Sequence, residues 1–437
     1  MSKPLRVGVA GLGTVGAALI AQIGREREML AAKCGRGIDV VAVCARSRGK
    51  DRGVDLGNIA WMDDPVALAR NPEIDVFVEL MGGAGDPAKA AVEAALSAGK
   101  SAVTANKALL AKHGVALAAL AEKHGGALNF EAAAGAAIPI VKALREGVAG
   151  NQIERIYGIP NGTCNYILTR MEQEKLSFEA CLKDAQRLGY AEADPSFDIE
   201  GHDTAQKLSI LASLAFGTRV DESAIYVEGI SSITPADLAA ADELGYRIKL
   251  LGVAVKTANG IEQRVHPTML RKDSAIAQVM GVTNAVTIDP AGFDPLTLIG
   301  PGAGGAATAS AVLSDIADIA RGTRVPPFGR PAASLGEVAK APMQRHEGGY
   351  YIRLLARDKP GTAATIALRL AEQEISLESI VQRHAPGTAE KDTQSGAVPV
   401  ILITYATTED AVRKALDAVG RDQVTSGRPQ VIRIEKN

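Results

Sequence analysis

Residues 189–212, GYAEADPSFDIEGHDTAQKLSILA, gather five carboxylates (Glu192, Asp194, Asp198, Glu200 and Asp203) on loop-forming residues, then enter an apolar run carrying Lys207. Asp203 and Lys207 stand four apart, so a helix places them on one face. Acids on a loop beside a lysine on the next helix can hold a polar substrate and move a proton. The same residues also fit a solvated loop, helix-capping groups and an ion pair of little energetic consequence. The rest of the chain has to decide between these readings.

A second pattern bears on that choice. Gly11, Gly13 and Gly16, with Leu12, Thr14 and Val15 between them, form a G-x-G-x-x-G turn. It follows a short β-branched run at 5–10 and precedes a helix-forming run at 17–25. Glycines so placed allow a tight turn, close backbone approach to a pyrophosphate and close helix–strand packing, while the helix N-terminus favours the anion. Such turns are common, but the strand–turn–helix setting points to a dinucleotide. The next strand ends at Ala45-Arg46-Ser47-Arg48. An acid there suits the ribose hydroxyl of NAD, an arginine the 2′-phosphate of NADP. Arg46 therefore favours NADP, with NAD usable; an exposed basic loop is the alternative.

Both patterns need a scaffold. Strands at 5–10, 39–45, 74–80 and 101–104, with a helix at 87–98 before the last, predict a doubly wound α/β domain. Small residues and Pro139 interrupt the helical run at 131–141, EAAAGAAIPIV. From there to about residue 285 helices and strands mix irregularly, which predicts a second domain. A glycine-rich turn at 299–305 introduces a helix at 306–321. Pro326, Pro327, Pro331 and Pro342 mark a linker. Beyond it come strands at 350–356, 379–384, 398–404 and 430–435, helices at 362–373 and 408–419, and a DKPG turn at 358–361. This βαββαβ order predicts a small ferredoxin-like domain.

Composition excludes other classes. At 437 residues the chain is too long for one ordinary domain, and 47% hydrophobic with 22% charged residues suits a core-forming protein. A net charge of -2 gives no electrostatic reason to expect nucleic acid or an anionic membrane, and 4% aromatics argue against a base-stacking surface. Cys34, Cys44, Cys164 and Cys181 form no C-x-x-C pair. The N-terminus passes straight into a strand and no apolar run approaches the ~18–20 residues of a spanning helix. A soluble cytoplasmic protein with reduced thiols is expected.

The chain as a whole resembles homoserine dehydrogenase of the longer type with a C-terminal ACT domain. The resemblance rests on GLGTVG (11–16), VELMGG (78–83), TANK (104–107), EAAAGAAIPIV, NGTCNYIL (161–168), the acid-rich segment through Lys207, and GPGAGGAATASAVLSD (300–315). Seven motifs in family order are far more specific than any one of them. Cys164 departs from a serine often found between Thr163 and Asn165, which puts one local hydrogen bond in question.

The resemblance implies an NAD(P)H-dependent, reversible reduction of L-aspartate 4-semialdehyde to L-homoserine, on the route to threonine, methionine and isoleucine. It implies a Rossmann-type domain over 1–137, an α+β catalytic and dimerisation domain over 138–325, a linker over 326–348 and an ACT domain over 349–437. Lys207 resembles the family's proton donor, Lys107 the residue between nicotinamide and substrate, and Asp203 a group orienting Lys207; either lysine is open as the main acid. Glu192 looks like the binder of the substrate ammonium, with Asp198 and Thr163 beside it. Gly82, Thr104, Lys107, Gly189 and Gly304 match positions near the cofactor. Main-chain carbonyls of Glu131, Ala134, Ala136 and Ile138 match a site for a monovalent cation, sodium or potassium. By analogy the ACT domain binds threonine and gives feedback inhibition in a homodimer or homotetramer; an inert oligomerisation domain is the alternative. The rival functions are another NAD(P)-dependent reductase of amino-acid metabolism and a catalytically silent amino-acid sensor.

Overall fold

The computed structural model describes residues 2–337, 340–341, 347–382 and 397–435. Pro342 and the end of the strand expected at 379–384 lie outside these residues. Six parallel strands form the first sheet: β1 (Ser2–Ala10), β2 (Arg36–Cys44), β3 (Ala60–Met62), β4 (Val76–Glu79), β5 (Ser101–Thr104) and β6 (Leu128–Asn129). Their order, β3-β2-β1-β4-β5-β6, is that of a Rossmann-type sheet, which reverses direction between β1 and β4. All four residues of β4 are buried, as a parallel sheet covered on both faces requires. β3, three residues long, is too short for a periodic pattern and was not anticipated.

The middle of the chain is more regular than its sequence suggests. β7 (Ile153–Ile159), β8 (Tyr226–Val227), β9 (Tyr246–Thr257), β10 (Gly260–Arg271), β11 (Thr283–Pro290) and β12 (Leu296–Pro301) belong to one sheet. β9 and β10 pair antiparallel along all twelve residues of each. The alternation that would have revealed β10 is lost because Glu262, Gln263, Arg264, His266 and Thr268 are all buried. The expected glycine-rich turn is shorter than 299–305, because its first three residues finish β12.

This sheet continues into β13 (Glu347–Arg357), β14 (Leu377–Gln382), β15 (Ala397–Thr404), β16 (Thr407–Thr408) and β17 (Thr425–Ile434). With helices Thr362–Ala371 and Glu409–Arg421 these give the expected βαββαβ order, laid out β17-β13-β15-β14. The seam was not expected. β17 pairs parallel with β10, Thr268 opposite Arg433 and Met269 opposite Ile434, so one sheet of eleven strands crosses it. Buried charges close the seam. Arg264 pairs with Glu262 and Glu435, Arg433 with Glu409 and Glu228, and Asp237 accepts from Tyr351 Oη (3.0 Å) and Arg353 Nε (2.6 Å).

Helix Gly305–Ala320 returns the chain to the first sheet. It packs against helix Thr14–Arg25, and Ala309, Val312, Leu313 and Ile316 share a core with Val7, Val9 and Leu19.

Candidate active site

The three turn glycines each have a distinct reason to be glycine. Gly11 has φ +101°, and a Cβ there would collide with the Leu80 carbonyl; one on Gly16 would collide with the Gly11 carbonyl. Around Gly13 there is open space on the side where a side chain would stand. The turn is therefore rigid where it packs and bare where a ligand approaches, and it leads into the N-terminus of helix Thr14–Arg25. A second helix begins beside it: Gly304, with φ +108°, caps helix Gly305–Ala320, and Gly305 lies against Thr14. These residues fit a dinucleotide pyrophosphate.

A buried polar network lies at the end of the first sheet. Buried Glu79, at the end of β4, accepts the N–H groups of Met81 (2.7 Å) and Gly82 (3.0 Å) and the Thr104 hydroxyl (2.6 Å). Thr104 in turn accepts the Asn106 N–H at 3.0 Å, and Asn106 Nδ2 donates to the Gly83 carbonyl at 2.6 Å. This fixes the loop 80–83 against the start of helix Lys107–His124. Arg46 is exposed just past β2. Arg52 instead folds back on the turn, donating from Nε to the Leu12 carbonyl at 3.1 Å and lying over the Trp61 ring.

The acid-rich segment resolves into one buried cluster and an exposed rim. Helix His202–Phe216 brings Lys207 Nζ to Asp203 Oδ2 at 2.9 Å, and the same Nζ donates to the Pro160 carbonyl at 2.7 Å. Lys107, first residue of its own helix, reaches Asp203 Oδ1 at 3.1 Å. Asn161 Nδ2 donates to Asp198 Oδ1 and to Asp203 Oδ2, both at 2.8 Å, while its Oδ1 caps helix Gly162–Glu174 through the Cys164 N–H. The Cys164 thiol donates to the Asp198 carbonyl at 3.2 Å. Thr163 Oγ1 donates to the Tyr190 carbonyl at 2.7 Å. Glu192 stands outside this network with an exposed side chain; Gly189 is exposed as well, and its φ of +76° marks the turn.

Electrostatics separate the two central acids. Burial alone would raise the Asp203 carboxyl, but Lys207 and Lys107 more than offset it and hold the pKa at about 2. Burial pushes the less fully paired Asp198 up, against the pull of its Asn161 bond. Asp203's pKa is depressed from 3.8, so its share of stability is complete above that value and is lost as pH falls through about 2. We expect this share to be about 2 kcal/mol. Urea unfolding from pH 5 to 2 should show a steeper loss for the wild type than for Asp203→Asn; parallel curves would remove Asp203 and its two lysines from the stability account.

Residues 131–138 begin as the short helix Glu131–Ala134 and then turn back. The Glu131 carbonyl accepts the Gly135 N–H at 3.1 Å and the Ile138 carbonyl accepts the Ile140 N–H at 2.8 Å. The carbonyls of Ala134 and Ala136 accept no N–H from a described residue outside regular helices and strands. The Glu131 carboxylate is committed elsewhere, to the N–H groups of Val141 and Lys142.

Sequence reasoning passed over Asn161, Glu79 and the Pro160 carbonyl. Asn161 and Glu79 lie inside motifs recognised above, but their importance comes from partners 25 to 42 residues away.

Residues 139–317 match the family model for homoserine dehydrogenase, and residues 11–131 match that for the homoserine dehydrogenase NAD binding domain. The homoserine dehydrogenase of Pseudomonas aeruginosa is 43% identical over 440 residues, covering 99% of each chain. The crystal structure of a homoserine dehydrogenase from Thiobacillus denitrificans superposes with a TM-score of 0.91 at 42% identity, covering 99% of this chain and 98% of its own. A hyperthermophilic archaeal homoserine dehydrogenase solved in complex with NADPH superposes with a TM-score of 0.63 at 27% identity, covering 74% of this chain and 99% of its own. No helix among the described residues is long and apolar enough to cross a membrane. With a dinucleotide turn, a buried lysine–acid cluster and full-length likeness to these enzymes, the chain belongs to the homoserine dehydrogenase family of oxidoreductases.

Proposed function

We propose that the protein reduces L-aspartate 4-semialdehyde to L-homoserine, and the reverse, with NADP(H) preferred and NAD(H) accepted. The observation that carries this is the pair of lysines on one buried carboxylate, Asp203, in a chain that also carries the glycine turn. When bound, the reduced nicotinamide supplies the hydride to the aldehyde carbon. Lys207 then gives the oxygen its proton. An ammonium has three donors; Pro160 and Asp203 take two from Lys207, which leaves one for the developing alkoxide. Lys107, less enclosed, positions the substrate between ring and acid, and Asp203 fixes both lysines. Asp198, Thr163 and Glu192 line the approach of the amino-acid end, Glu192 from an exposed position that a bound ammonium would draw inward. Arg46 supports the NADP preference by its place beyond β2.

The carbonyls of Glu131, Ala134, Ala136 and Ile138 would hold a monovalent cation, rigidifying the loop beside the site. The βαββαβ segment is read as an ACT module binding threonine in a dimer or tetramer, and the segmentation 1–137, 138–325, 326–348 and 349–437 goes with that reading. Four free, buried cysteines suit a reducing cytoplasm. Absorbance at 340 nm with homoserine and NADP⁺, with and without threonine and against other hydroxy amino acids, tests the reading. Turnover with homoserine is expected; its absence would sink the proposal.

A further inference from the structure

Asn284, near the start of β11, is 3% exposed, and its Oδ1 has no hydrogen-bond partner among the described residues. Buried amide oxygens are almost always paired, and an orphan calls for an explanation. Two glycines frame this one. The side-chain amide occupies the space where a Cβ on Gly302 would stand, and Oδ1 lies 3.4 Å from where a Cβ on Gly162 would be.

Those glycines belong to different arms of the site. Gly302 leads through Gly304 to Gly305, which abuts Thr14 in the dinucleotide turn. Gly162 opens the helix capped by Asn161, whose amide holds Asp198 and Asp203. Asn284 therefore stands where the cofactor arm meets the lysine–acid arm. Hydride transfer requires ring and substrate carbon in near-contact at that junction. The nicotinamide ring has one polar substituent, a primary carboxamide, whose NH2 needs an acceptor in a water-poor cleft.

We propose that Asn284 Oδ1 accepts a hydrogen bond from the nicotinamide carboxamide and so sets which face of the ring is turned toward the substrate. This rests on the dinucleotide reading above and adds a cofactor-binding residue to it.

The test is equilibrium binding, followed by fluorescence, of NADPH and of its reduced 3-acetylpyridine analogue, which keeps the carbonyl but replaces NH2 by methyl. Wild-type protein should bind NADPH about 10-fold more tightly than the analogue, the scale of one hydrogen bond lost with its acceptor left buried. Asn284→Ala should bind the two with nearly equal Kd, with its fold checked by circular dichroism. A wild-type ratio near one overturns the proposal without any variant being needed. A ratio that survives in Asn284→Ala also overturns it and leaves Oδ1 to a bound water. Wild-type protein that binds no NADPH overturns the dinucleotide reading itself, and this inference with it.

Discussion

Lys207→Ala should lower kcat for homoserine oxidation by about 100-fold or more while the protein stays folded and binds NADPH as before. The size follows from what Lys207 alone can do. Its ammonium is held from two sides, by Pro160 and Asp203, and only 13% of its side chain is exposed, so no mobile group or bulk water easily replaces its proton. Lys107 shares Asp203 but has a third of its side chain exposed and no second anchor of the same kind. Lys107→Ala should therefore raise KM for homoserine more than it lowers kcat. If Lys207→Ala keeps kcat and Lys107→Ala loses it, the two roles are exchanged.

Removing the chain beyond residue 340 should destabilise what remains by about 3 kcal/mol or more, the cost of leaving buried charges without their partners. Simple modularity would predict an active enzyme freed of effector control. The seam argues otherwise. Asp237 would lose both Arg353 and Tyr351, Arg264 would lose Glu435, and β10 would lose the strand beside it. The archaeal relative is shorter: 99% of its chain covers 74% of this one, so a related frame exists without a quarter of these residues. In this chain the frame has become committed to the segment beyond residue 340. Urea midpoints for the full and shortened proteins decide the matter. An unchanged midpoint would mean the seam contributes nothing, and Asp237→Asn with Arg264→Met in the shortened protein should recover part of a loss.

The nucleotide fold was legible because its signals are local. The glycine turn, the parallel strands and the TANK lysine each declare themselves within a few residues. Asp203 and Lys207 were legible for the same reason, four apart on one helix. What escaped depends on distance or on buried polarity. β10 hides behind five buried polar residues, and no hydrophobic alternation betrays it. Asn161 reads as an ordinary helix cap until Asp198 and Asp203 are brought to its other side. The β10–β17 seam joins Arg264 to Glu435, 171 residues apart, and no pattern within either strand announces the other. Asn284 has no motif at all; only an unpaired oxygen marks it.

The return of helix Gly305–Ala320 to the first sheet has a consequence for how the enzyme comes into being. Glu131 donates its N–H to Asp315 across 184 residues, and the wall beside the dinucleotide turn is supplied from that far along the chain. Closing a contact of such long range costs loop entropy and slows folding. The wall beside the dinucleotide turn is therefore complete only once the residues up to Asp315 are in place. A chain that ends short of that helix should bind NADPH more weakly than the full protein.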